Sequence, residues 1–184
     1  PFAKSGKSLP LEIKKLKDKA PEMQRSGAYT LTITKKGITI GIVDDNSLFY
    51  AAQTLKQLVK YDEGKKILPL CSIKDYPDVL FRGTVEGFYG QPWSHADRIE
   101  QIRFYGRIKL NTYIYGPKDD PYHSSPNWRK PYPAEEAEHI KELAKEAAHN
   151  KVNFVWAIHP GQDIQWNQTD SMNILSKFEK MYDL

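Results

Sequence analysis

The chain has 184 residues, 40% of them hydrophobic and 27% charged, and its 27 Lys and Arg against 23 Asp and Glu leave a net charge of +4. That balance fits a globular protein with a buried core; it excludes a coiled coil, collagen and a disordered tail, and no apolar run approaches the ~20 residues of a membrane helix. One cysteine, Cys71, rules out an internal disulfide and makes a Cys-rich zinc site untenable, and no cofactor is implied. Pro1 is not an initiator Met, and with no signal peptide in view the start reads as a processed or trimmed end.

Residues 1–77 read as a small α/β unit. A basic stretch from Leu11 to Lys19 ends at Pro21. Tyr29, Leu31 and Ile33 alternate with threonines, and Ile38, Ile40 and Ile42 repeat the pattern after Lys35-Lys36-Gly37, which predicts a β-hairpin with one buried face. Asp44-Asp45-Asn46-Ser47 offers N-cap side chains to a helix, along which Leu48, Ala51, Ala52, Leu55, Leu58 and Val59 form a core-facing stripe. A further strand is predicted from Ile67 to Ile73, with punctuation at Asp75-Tyr76-Pro77-Asp78.

Residues 78–184 repeat strand, loop and helix three times. The first strand, Arg82 to Glu86, leads into Gly87-Phe88-Tyr89-Gly90-Gln91-Pro92-Trp93, and Ser94 with Asp97 is a capping box opening a helix. The second, Thr112 to Tyr115, precedes a loop to Tyr132 and a helix whose first turn takes Pro133 and whose buried stripe is Ile140, Leu143, Ala144 and Ala147. The third, Val152 to Ile158, is apolar almost throughout, as a parallel strand covered on both faces is. A last helix turns Ile174, Leu175, Phe178, Met181 and Tyr182 to one side. Three βα units in a row predict parallel strands, in a Rossmann-like sheet or a (β/α)8 barrel. Gly87-Phe88-Tyr89-Gly90 is too bulky to wrap a pyrophosphate, and long aromatic loops at strand ends are where barrel enzymes keep their sites. The fold class is therefore α/β: a small domain, then the first three units of a TIM barrel.

The strand-end loops hold Glu86, Tyr89, Trp93, Lys118, Asp119, Asp120, His123, Trp128, His159, Asp163 and Trp166, a composition that suits carbohydrate; the plainer reading has the tryptophans merely covering the rim. Asp119-Asp120 invites two readings, a general acid with its partner or a solvated turn before Pro121. Lys118 is either a cation aimed into a pocket or a surface lysine. His123, His159 and Asp163 lack metal-ligand spacing. The sequence pI near 9.0 is weak ground for nucleic-acid binding, because the Lys14 to Lys19 cluster sits apart from the aromatic loops, so no nucleic acid is expected as partner.

Three segments in order, Val85 to Trp93, Asn111 to His123 and Trp156 to Gly161, resemble the opening of the catalytic barrel of glycoside hydrolase family 84, the β-N-acetylglucosaminidases. The part before them resembles the small domain that precedes the barrel in bacterial members and in family 20 hexosaminidases. The resemblance implies a retaining exo-β-N-acetylglucosaminidase that works by substrate assistance, with the 2-acetamido oxygen attacking the anomeric carbon to give an oxazoline. It implies that two adjacent aspartates at the end of barrel strand four orient the acetamido group and serve as acid and base. Asp119-Asp120 follows strand two and does not match that pair, so the pair is expected beyond Leu184, with no catalytic residue in this chain and the chain alone inactive. Carried over are Gly87, whose carbonyl accepts from a sugar hydroxyl, Lys118, which donates to the same side of the ring, and Tyr89 at the mouth. The implied partners are β-N-acetylglucosaminide glycans or glycoproteins, and the implied compartment is extracytoplasmic in a bacterium. The alternative function is a non-catalytic carbohydrate- or partner-binding fragment.

Overall fold

The structure, a computed structural model, describes residues 2–3, 9–161 and 163–184. The trimmed start expected at Pro1, and Gln162 in the last strand-end loop, lie outside them. The chain separates into two compact units, one of residues 1–80 with 107–109 and one of residues 81–106 with 110–184.

The strands and helices of the first unit are β1 (Phe2–Ala3), β2 (Leu11–Lys15), β3 (Tyr29–Ile33), β4 (Ile38–Ile42), α1 (Asp45–Leu58), β5 (Lys60–Asp62), β6 (Lys65–Pro69) and β7 (Cys71–Asp75). A four-stranded sheet runs β2-β4-β3-β7, and β6 lies between β1 and β5 in a three-stranded one. The predicted hairpin forms in the register Tyr29↔Ile42 to Ile33↔Ile38. Its inward residues Tyr29, Leu31, Ile33, Ile38 and Ile40 bury against Tyr50 and Ala51, with Leu48, Leu55 and Leu58 packed on them. The Asp44 side chain accepts from the Ser47 N–H at 2.8 Å, and the Ser47 hydroxyl receives the Asp44 N–H in return, so α1 opens on a capping box. One detail adds to the sequence reading and another departs from it. The basic stretch begins as β2, parallel to β4 and exposed along its length as an edge strand. The strand expected over 67–73 is two, since β6 pairs with β1 and β5 whereas β7 pairs with β3, and Leu70 lies where the chain changes sheets.

The second unit is β8 (Gly83–Glu86), α2 (His95–Arg107), β9 (Thr112–Tyr115), α3 (Ala134–His149), β10 (Asn153–Trp156) and α4 (Gln168–Tyr182). The strands are parallel in the order β8-β9-β10 with helices between them, the barrel-like succession of βα units. Ser94 and Asp97 cap α2 reciprocally, Asp97 N–H to Ser94 Oγ at 3.1 Å and Ser94 N–H to Asp97 at 3.2 Å. The strands approach so closely at Gly83 that a Cβ there would lie 1.6 Å from the Thr112 carbonyl oxygen. Ile102, Tyr105, Tyr113, Tyr115, Leu143, Ala147 and Val152 form the core.

Two expectations need correction here. Pro133 stands at the N-cap, one residue before α3, rather than inside its first turn. β10 alternates in exposure along these 184 residues, Val155 being 41% exposed. α4 turns Asp170, Ile174, Lys177 and Met181 inward, while Leu175 and Tyr182 from the predicted stripe are exposed. The reason is electrostatic. Asp170 holds Arg129 at 2.6 Å, and the Lys177 ammonium donates to the Lys130 carbonyl at 2.6 Å, fixing the rotation of the helix.

Candidate functional site

The parallel order places the ends of β8, β9 and β10 side by side, so the loops after them form one surface. Gly116 N–H donates to the Glu86 carbonyl at 3.1 Å, which sets Gly87 beside Gly116 at the top of the first two strands. No donor among the described residues reaches the Gly87 carbonyl. Gly90 takes φ +114°, a conformation that favours glycine, and turns the chain back after Tyr89. Tyr89 is 88% exposed, and the Lys118 ammonium stands 5.5 Å from its ring centroid. Lys118 is exposed and has no ion-pair partner among the described residues. Of the residues carried over from the family resemblance, Tyr89 and Lys118 thus stand together, and Gly87 occupies the adjoining strand end.

Behind Lys118 lies a cleft of about 260 Å³ lined by Lys118, His123, Ser124, Ser125, His159 and Gly161. Its walls come from the loops after β9 and β10, joined where His159 N–H donates to the His123 carbonyl at 2.7 Å and where Ser125 Oγ lies 2.9 Å from the Pro160 carbonyl. Asp163 locks the outer side: it accepts from the Trp128 indole at 2.9 Å, from Ser125 Oγ at 2.5 Å and from Arg129 at 2.8 Å. Those bonds from Ser125 and Trp128, with Arg129 beside them, hold its carboxyl down at about 2.

Most other strand-end residues serve structure. Trp128 is fully buried and so offers no sugar platform, and Trp166 is 93% exposed, away from any ring stack. Trp93 packs edge-on to Phe88, with ring centroids 5.3 Å apart. Glu86 is 1% exposed and takes Arg98 through three hydrogen bonds of 2.8 to 3.1 Å; the Tyr113 hydroxyl donates to it as well. Asp119 is exposed, 3.8 Å from the same guanidinium. Asp120 is buried. Its carboxylate accepts from the hydroxyls of Tyr115 at 3.1 Å and Tyr132 at 2.7 Å, and from the N–H groups of Tyr122 at 2.7 Å and His123 at 3.3 Å. The pair therefore lies in a turn before Pro121, as one reading expects, but only Asp119 is solvated and Asp120 is a buried anchor.

Burial and then the Asp120 charge push the Tyr115 and Tyr132 hydroxyls well above their ordinary value, which keeps both as donors. Lys177 is 3% exposed, with its ammonium 4.2 Å from the Tyr132 ring and 5.9 Å from those of Tyr122 and Trp156. Desolvation pushes it down to about 8, against the pull of Asp120. Arg98, Tyr132 and Lys177 went unnoticed in the sequence. Arg98 alone leaves a signal there, as a cation in the first turns of the helix that follows a strand ending in a glutamate. Among the described residues no cluster of three His, Cys, Asp or Glu could hold a metal ion, and no helix is long and apolar enough to cross a membrane.

A family model described as beta-N-acetylglucosaminidase matches residues 82–184, and one described as glycosyl hydrolase family 20, domain 2, matches residues 3–76. Protein O-GlcNAcase of Rattus norvegicus is 41% identical over 95 residues, which is 52% of this chain and 10% of that protein. Beta-hexosaminidase of Vibrio vulnificus is 42% identical over 65 residues, 35% of this chain and 7% of its own length. The solved structure of CpGH84B is 44% identical and superposes with a TM-score of 0.82, covering 90% of this chain and 29% of that one. An O-GlcNAc hydrolase mutant of Thermobaculum terrenum is 36% identical with a TM-score of 0.54, covering 56% and 22%. The chain thus spans about a tenth of these curated relatives' length or less, and under a third of the solved ones. A family match over more than half of the chain, with a close superposition on a family 84 structure, leads to one conclusion: the chain belongs to the β-N-acetylglucosaminidases of glycoside hydrolase family 84.

Proposed function

We propose that residues 82–184 form one wall of the sugar pocket of a retaining exo-β-N-acetylglucosaminidase that removes terminal β-linked GlcNAc from glycans or glycoproteins. The observation that carries this reading is Lys118: an exposed ammonium without a carboxylate partner, at the same strand ends as the free Gly87 carbonyl and bordering the cleft. A ring hydroxyl both donates and accepts, so a carbonyl and an ammonium side by side satisfy one sugar edge. In the reaction proposed, the 2-acetamido oxygen of the substrate attacks the anomeric carbon as the aglycone leaves with a proton. Water then opens the oxazoline, and the configuration is retained overall.

The acid and the acetamido-orienting carboxylate are not assigned to Asp119 and Asp120. Asp120 spends its carboxylate on four donors, and Asp119 faces solvent near Arg98. The proposal places that pair in a segment following Leu184 in a longer protein, consistent with the 29% share of CpGH84B that the chain covers. The test is hydrolysis of a fluorogenic β-N-acetylglucosaminide by the longer protein and by the 184-residue chain. Turnover with retention by the first and background from the second is the expected result. Robust hydrolysis by the short chain would overturn the assignment of the pair. A longer protein that binds a GlcNAc-type inhibitor without turnover would be a carbohydrate-binding module instead.

A further inference from the structure

We infer that Asp120 is a positioning residue for Lys118, acting through the backbone of the turn that carries it. The inference rests on the sugar-pocket reading of Lys118 given above. Lys118 makes no hydrogen bond or ion pair of its own among the described residues, and its ammonium meets the exposed Tyr89 ring at 5.5 Å, a contact worth little at an exposed site. Its aim depends chiefly on the main chain on either side.

That main chain is braced from one point. Asp120 Oδ1 accepts from the N–H groups of Tyr122 and His123 at 2.7 and 3.3 Å, which closes the turn over 117–123. The closed turn brings two donors onto the carbonyl of Pro117, the residue before Lys118: the Asp120 N–H at 3.2 Å and His123 Nε2–H at 2.7 Å. The other oxygen, Oδ2, ties this turn to the scaffold. It accepts from Tyr115 at the end of β9 and from Tyr132, whose hydroxyl in turn accepts from the Trp156 indole at the end of β10 at 3.0 Å. One carboxylate thus couples two strand ends to the peptide that points Lys118 toward the cleft. Misplacing a binding group by about an ångström is enough to cost a site up to ~10²-fold, which is why such outer partners matter.

Asp120→Asn keeps the shape and one acceptor oxygen. It presents an amide N–H₂ to two tyrosine hydroxyls, one of which already accepts from Trp156. The experiment is a double-mutant cycle in the longer protein, reading the dissociation constant of a GlcNAc-type inhibitor for the wild type, Lys118→Ala, Asp120→Asn and the double variant. If Asp120 acts through Lys118, Asp120→Asn alone weakens binding about tenfold, and the same change adds less than about twofold once Lys118 is alanine. An equal loss in both backgrounds, or no loss in either, would overturn the inference. Lys118→Ala without effect would overturn the sugar-pocket reading itself, so the two failures are separable. Should Asp120→Asn not fold, Tyr132→Phe removes one donor and keeps the ring; its loss, smaller than that of Asp120→Asn, must likewise vanish in the Lys118→Ala background.

Discussion

Arg98 forks onto Glu86 with Nε and Nη2 at 2.8 to 3.1 Å, and Glu86 is the residue that immediately precedes Gly87. The same guanidinium lies 3.8 Å from Asp119, the residue that immediately follows Lys118. A single cation on α2 therefore touches the chain next to both residues assigned to the sugar edge.

Glu86 is buried, so removing its charge strands Arg98 in a site built for a pair. Glu86→Gln should destabilise the protein by about 3 kcal/mol, the cost of leaving one member of a buried pair uncompensated. Chemical denaturation of both chains checks this; a loss below about 1 kcal/mol would mean that the pair is worth little more than one on the surface.

Lys177 gives a signature in alkaline solution. Its folded value of about 8 lies below its ordinary 10.5, so the native state loses the proton first and gains stability as pH rises between those values. Below pH 8 the buried ammonium is a cost. Unfolding free energies of the wild type and Lys177→Met should therefore shift relative to each other by about 1–3 kcal/mol in favour of the wild type across that window. Parallel curves would show that the ammonium is not desolvated.

Asp163 gives the opposite sign. Its carboxyl is held at about 2, below the ordinary 3.8, so the lock on Ser125, Trp128 and Arg129 is complete above 3.8 and is lost as pH falls toward 2. Asp163→Asn should abolish that acid step, followed through Trp128 fluorescence with the other three tryptophans replaced by phenylalanine. A step that persists in the variant would belong to another group.

Where local rules decide the structure, the sequence is readable. The 29–42 hairpin, the Asp44 and Ser94 caps and the 112–115 strand rest on alternation and capping chemistry, and each forms where expected. α4 is rotated from its predicted stripe because an apolar pattern says nothing about which polar neighbours will hold the helix. Lysines are almost never buried, so nothing in the residues around Lys177 announces a cage whose rings come from positions 122, 132 and 156. The site was legible only through the resemblance of its loops to a family. Asp120 looks chemical because it stands beside Asp119, whereas its carboxylate accepts from two N–H groups of its own turn and from tyrosine hydroxyls 5 residues before and 12 after it.

Lys118 carries the account, and the most direct measurement is the dissociation constant of a GlcNAc-type inhibitor for the longer protein with Lys118 and with Lys118→Ala. A charged hydrogen bond to a sugar hydroxyl is worth about 1.5–3 kcal/mol, so the substitution should weaken binding roughly tenfold or more. The melting temperature should not change, since Lys118 is exposed and makes no structural bond among the described residues. An unchanged dissociation constant in a folded Lys118→Ala protein would return Lys118 to the protein surface and contradict the proposed pocket.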